Sequence, residues 1–275
     1  MAVTTQQILV DEDATRYEIE SRSEQMMAVR EAFRPATDIP DAETVYFVVP
    51  EDDDEDMSIV AEGAEFPREV KGQDKVPCVR HKFGEEFPIT IEAEMDEMVD
   101  NQAENLETKI RKYNRTQERR AFEILDDAAE VYNTETDNGQ LEYEDVVGGW
   151  TDMMEDEGTD SEGWVGDTLI TGPSGFGDLA TDDRFTQATD QGEETIRQGF
   201  IGSIFGLPIY LTNQVAIDPG VAYLVDSSVF GYEATWQDTQ TRNYEEEKRQ
   251  TNVLQFWSFK GYCSTRPDAA YRIEG

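Results

Sequence analysis

The sequence predicts an α+β fold strung along one long helix, and three observations carry that expectation. Apolar residues recur at three- and four-residue steps from Ala93 to Tyr132 with no Gly or Pro to interrupt them. Strand-like runs of Val, Ile, Tyr and Phe flank that segment on both sides, and turn residues punctuate the chain everywhere else.

Taken in order, residues 1–43 read as an extended or partly helical arm. It carries one short helical stretch around Glu24 to Phe33, which Pro35 and Pro40 bring to an end. Hairpin texture follows: strand-like runs at Val45–Val49, Ser58–Ala61, Val76–Lys82 and Phe87–Glu92, separated by the acidic turn Glu51–Asp56 and by Gly63, Pro67 and Gly72. These runs hold too few apolar residues for a core of their own, so they predict a projecting two-stranded loop that packs on a neighbour.

Met95, Met98, Val99, Leu106, Ile110, Tyr113, Ala121, Leu125, Ala128 and Tyr132 then set the helical period. A helix over 93–132 would run roughly 60 Å and act as a spine, closed by the turn residues Asn133–Gly139. Beyond Leu141 the chain mixes short helices with strands at Asp167–Thr171, Leu207–Thr212, Val221–Val225 and Val253–Tyr262. The acidic tract Asp152–Glu162 reads as a solvated surface loop, and no repeat of 20 to 50 residues is visible.

Sixty-one Asp and Glu residues stand against twenty-three Lys and Arg, a net charge of −38 over 275 residues. At low ionic strength such a surface repels itself; near molar salt the Debye length shrinks to roughly 3 Å and the repulsion is screened. Arg also outnumbers Lys, and Ala, Val and Thr stand in for bulkier aliphatics. The pattern resembles the proteins of extremely halophilic archaea. Aromatics at 10% of the chain argue against an acidic disordered protein. Met1–Val10 lacks a basic segment followed by an apolar one, and no run approaches the roughly 18 apolar residues of a membrane span. The expectation is a soluble chain with no membrane partner that is not exported by a signal peptide.

Catalytic chemistry has little to stand on. His81 is the single histidine, between Arg80 and Lys82 in a strand-like alternation, and reads as a solvated strand residue rather than an acid/base or a metal ligand. Gly175, Gly177 and Ala180 fit G-x-G-x-x-A after a strand, but Gly172–Asp178 reads more simply as a Pro- and Gly-bearing turn. Glu155, Asp156 and Glu157 could hold hydrated Mg²⁺ or Ca²⁺, yet clusters like this arise by chance in so acidic a chain. Cys78 and Cys263 are far apart in sequence and in no metal-binding spacing, so they read as reduced core or interface residues. The sequence therefore predicts no enzyme, no cofactor and no specific metal.

One basic feature interrupts the acidity. Lys109, Arg111, Lys112, Arg115, Arg119 and Arg120 crowd the middle of the helix, and Arg111, Arg115 and Arg119 form a ridge at four-residue steps. Ion pairing, as between Glu107 and Arg111, competes with a contact stripe for nucleic acid or another subunit.

Ile196 to Val215 is the most specific segment: I-R-Q-G-F-I-G-S-I-F-G-L-P-I-Y-L-T-N-Q-V. Gly199, Gly202 and Gly206 permit tight bends between short strands, and Pro208 sets up the strand Ile209–Thr212. This segment resembles the A-domain signature of tailed-virus major capsid proteins of the Hong Kong 97 type. Thr168–Thr171 with Leu179 and Asp183-Arg184-Phe185 resembles the strand and helix before it; Ala222–Asp226 with Val229-Phe230-Gly231 resembles the strand and turn after it.

What the resemblance implies covers nearly the whole chain. It divides into an N-terminal arm (1–43), an extended loop or E-loop with flanking strands (44–92), a P-domain spine helix (93–140), an A domain (141–240) and the P-domain C-terminal strands (241–275). Glu62, Gly63, Pro67, Lys71 and Lys75 would belong to the assembly loop. The implied function is a structural protein that forms hexamers and pentamers and closes them into an icosahedral shell around double-stranded DNA, read without sequence specificity. Its partners would be copies of itself, a portal and decoration proteins. It would assemble in the host cytoplasm and reside in the virion, the host being a halophilic archaeon. No cleavable scaffolding segment is expected ahead of the arm, and no cross-link motif is recognised. An encapsulin-type compartment and a halophilic nucleotide-binding enzyme are the alternatives.

Overall fold

Two long antiparallel strands, Gly231–Glu246 and Thr251–Ser264, form the centre of one sheet, and a second sheet carries most of the strands between residues 130 and 274. The structure is a computed structural model that describes residues 28–50, 72–90, 99–133, 139–155, 163–181, 200–204, 206–246 and 251–275.

In chain order the strands are β1 (Arg34–Ala36), β2 (Thr44–Pro50), β3 (Gln73–Val79), β4 (His81–Thr90), β5 (Glu130–Asn133), β6 (Thr168–Thr171), β7 (Phe200–Ile204), β8 (Leu207–Leu211), β9 (Val221–Val225), β10 (Gly231–Glu246), β11 (Thr251–Ser264) and β12 (Ala270–Glu274). The helices are α1 (Val99–Ala128), α2 (Tyr143–Glu155) and α3 (Pro173–Thr181). Among the described residues, the strands form a four-stranded sheet in the order β1-β10-β11-β4, a six-stranded sheet in the order β5-β12-β9-β6-β8-β7, and the separate pair β2-β3.

Helix α1 connects the two larger sheets, and its apolar face explains how. Ile110 and Tyr113 pack with Phe83 and Phe87 of β4 and Leu254 and Phe256 of β11. Further along, Ala121 and Leu125 join Ile170, Val221, Tyr223 and Val225 of the six-stranded sheet. Thirty residues at 1.5 Å each give roughly 45 Å, enough to lie across both layers. Strand β9 is buried at every position, as expected of a central strand covered on both faces.

Several expectations change. The helix expected through Tyr132 ends at Ala128, and Glu130–Asn133 instead pairs in parallel with β12. Tyr132 fell on the helical period by coincidence. Backbone pairing to a strand far downstream decides its state. Of the expected helix Glu24–Phe33, residues 24–27 lie outside the described residues; the rest is one 3-10 turn, Val29–Ala32, leading into β1. The turn expected at Gly172–Asp178 is the start of α3, with Pro173 in the first helical turn, where its missing N–H costs nothing.

The expected runs Val76–Lys82 and Phe87–Glu92 are replaced by β3 and β4, broken at Arg80, whose N–H donates to the Glu43 carbonyl at 2.9 Å. Strand β10 was not anticipated at all, because charged and polar residues hide its alternation. It runs through the position 240/241 where the sequence suggested a division. The stretch 241–275 is likewise shared, β11 entering the four-stranded sheet and β12 the six-stranded one.

Candidate assembly surfaces

The pair β2-β3 presents two unlike faces, because alternate residues of a strand point opposite ways. Phe47 points inward and stacks on Tyr232 of β10, with ring centroids 4.3 Å apart and planes 3° from parallel. Val76 and Cys78 join it against Ala234 and Cys263. The opposite face, where Tyr46 pairs with Pro77 and Val48 with Lys75, faces outward. Tyr46 is 59% exposed, Val48 52% and Val79 43%. Apolar side chains this open on one strand pair form a surface that a partner can dry.

A second feature holds the N-terminal segment to the body. Glu118 of α1 is buried, and its Oε1 accepts the Val29 N–H at 2.9 Å and the Thr212 hydroxyl at 3.1 Å. Burial pushes its carboxyl up to about 7, against the opposing pull of those hydrogen bonds and of Arg30. One residue further on, the Arg30 guanidinium donates to Glu233, which also accepts from Lys260 Nζ at 2.7 Å. Two cations therefore share one buried carboxylate, and the segment is tied to both α1 and β10-β11.

The arginine ridge lies on the exposed side of α1, opposite Ile110, Tyr113, Gln117 and Ala121. Arg111 pairs with Glu107 at 2.9 Å across one turn. Arg115 Nε donates to the Gln214 carbonyl at 3.2 Å, and Arg119 is exposed. The neighbouring lysines turn elsewhere: Lys109 and Lys112 both bind Glu85 of β4, which holds that carboxyl below its usual range.

Of the remaining sequence expectations, Glu62, Gly63, Pro67, Lys71 and Gly199 lie outside the described residues, as do Ser58–Ala61, Asp156 and Glu157. Lys75 is exposed on β3. Gly202 sits at a register shift between β7 and β8, Gly206 makes the turn between them at φ +88°, and Pro208 pairs with Ser203 within β8. His81 opens β4 half-buried, and burial with the nearby Arg120 lowers its pKa. Gly175 lies inside α3, where a Cβ would come 2.5 Å from Thr171 Oγ1; glycine there serves close packing of helix on strand. Among the described residues no helix is long and apolar enough to cross a membrane.

Sequence reasoning missed Glu118, the Arg30–Glu233–Lys260 cluster and the meeting of the two cysteines. Glu118 had a signal: with Asn114 and Gln117 it falls on the same arc of the helix as Ile110 and Ala121, and all three are buried. A polar residue at an apolar phase of a helix marks a buried partner.

The sequence pattern of the phage capsid protein family matches residues 79–273, the span that contains α1 and every strand from β4 to β11. The chain belongs to that family. It is thus a structural, non-enzymatic shell protein and a virion component. Solved structures show the same fold at low identity. A chain from Mycobacterium phage Bobi is 15% identical, with 91% of each chain covered and a TM-score of 0.62. One from the head of Helicobacter pylori bacteriophage KHP40 is 10% identical, covering 88% of this capsid protein and 86% of that chain at 0.61. A virus-like particle from Pyrococcus furiosus matches at 12% identity, covering 95% and 98%, at 0.56. No curated protein matches the capsid protein. The fold is therefore the α+β capsid fold of the Hong Kong 97 type, and the family match disfavours the compartment alternative.

Proposed function

We propose that this capsid protein forms hexamers and pentamers that close into an icosahedral shell around double-stranded DNA, in a host whose cytoplasm holds molar salt, as in halophilic archaea. The exposed apolar face of β2-β3 is the observation that supports the assembly. Its inner face is satisfied within the subunit, so Tyr46, Val48 and Val79 are left for a neighbour. The pair and the residues between its strands would be the E-loop, α1 with β4, β10 and β11 the P domain, and most of the six-stranded sheet the A domain. A portal would occupy one vertex, and decoration proteins would bind outside. The net charge of −38 supports the salt requirement, because subunits so alike in sign must meet across many interfaces.

The test is electron microscopy of the purified protein in molar salt, followed by dialysis to 0.1 M with divalent ions chelated. Closed particles or capsomers are expected at high salt and their dissociation at low salt. Small discrete oligomers under both conditions overturn the shell reading, and intact shells at 0.1 M overturn the salt requirement alone.

A further inference from the structure

The chain contains two cysteines, and folding brings them together. Cys78 lies on β3 and Cys263 on β11. Both are buried in one small cluster with Ala234. Gly261 makes the approach feasible: a Cβ there would stand 2.4 Å from the Val79 carbonyl and 3.1 Å from Cys78 Sγ. Without a side chain at 261, β3 lies directly on β11.

We infer that Cys78 and Cys263 are an oxidisable dithiol whose closure to an intrachain disulfide fastens the β2-β3 pair to the long-strand sheet. The position favours such a cross-link. Above the cysteines the pair rests on the Phe47–Tyr232 stack, and below them Arg80 donates to the Glu43 carbonyl. A bond at 78 thus fixes the root of the projecting pair and leaves its outer face free.

The neighbouring Cys263 and burial together raise the Cys78 thiol above its ordinary value. Towards a small-molecule disulfide, one of the two cysteines attacks as its thiolate and expels one thiolate of the reagent. The other cysteine, losing its proton, then attacks the first cysteine's sulfur and expels the second thiolate. The protein loses two electrons and two protons, and the reagent becomes two thiols. Both sulfurs are covered when β2-β3 is seated, so the reagent enters when the pair lifts from β10-β11, or before it docks.

The experiment uses the full chain as isolated subunit, reduced and freed of reductant, then incubated with excess oxidised glutathione a few degrees below its unfolding midpoint. Thiols titrated afterwards in denaturant should fall from two per chain to zero, and digestion without reductant should yield one peptide pair joined through 78 and 263. The thermal midpoint should rise by several degrees, reversibly with dithiothreitol, and the rise should vanish in Cys78→Ser and in Cys263→Ser. Two titratable thiols after that incubation, or glutathione adducts on both cysteines without a cross-link, overturn the inference, and neither result needs the variants to fold. Because the measurement is made on subunits, it is independent of whether shells close.

Discussion

Glu118 on α1 and Val29 in the N-terminal segment meet through a carboxylate oxygen and a backbone N–H 2.9 Å apart, inside the core. A buried acid therefore holds the segment that leads into β1. Its carboxyl is raised by burial from 4.5 to about 7, so the folded chain keeps a proton that the unfolded chain releases between those values. This contribution to stability is full below pH 4.5, falls as pH rises through the window, and is gone above about 7. Glu118→Gln keeps an acceptor for Val29 but does not titrate. The stability difference between wild type and Glu118→Gln should change by about 2–3 kcal/mol between pH 5 and pH 8. Urea midpoints at fixed salt measure it, and a constant difference would show that Glu118 is ionised throughout.

Glu233 accepts from both Arg30 and Lys260, and Lys260 is itself nearly buried, its side chain 10% exposed. Removing the carboxylate leaves a cation inside the sheet with no counter-charge. Glu233→Gln should lower stability by about 3–5 kcal/mol, whereas Glu233→Leu combined with Lys260→Met should recover much of the loss by removing both charges. Denaturant unfolding of the three chains distinguishes a buried ion cluster from an incidental surface pair.

The two faces of β2-β3 should respond differently to substitution. Tyr46→Glu with Val48→Glu places charge on the open face and should leave the unfolding midpoint nearly unchanged while abolishing closed particles. Phe47→Ala removes the ring stacked on Tyr232 and should cost about 3 kcal/mol in the subunit itself. Circular dichroism with electron microscopy reads both. Normal particles from the first variant would mean that the open face meets solvent in the shell.

Arg111, Arg115 and Arg119 should be changed together to Gln. If the ridge faces packaged DNA, empty shells should assemble normally and fill less completely, with little dependence on DNA sequence. If it faces a neighbouring subunit, assembly itself should fail. The Arg115 bond to the Gln214 carbonyl and the Arg111 pair with Glu107 are both exposed, so the subunit should lose at most about 1 kcal/mol in either case.

Much of the fold was legible where one local signal dominated. The period of α1 and the continuous apolar run at Val221–Val225 each reflect constraints within a few residues, and the structure forms a helix over the first, ending at Ala128, and a strand over the second. Strand β10 was invisible because its outward positions, including Gln237, Asp238 and Arg242, mask the inward Ala234 and Thr239. Residues 130–132 looked helical because Tyr132 kept the phase of α1, and pairing with β12 overrode it.

The sequence by itself determined the charge, the long helix and the family, since composition, periodicity and short motifs are properties of neighbouring residues. Tertiary structure alone decided which distant groups meet: Val29 with Glu118, Arg30 and Lys260 on Glu233, and Cys78 against Cys263. Those contacts depend on strand order and on the docking of α1 across two sheets. They are fixed by burial and backbone pairing between segments far apart in the chain, which no local pattern encodes.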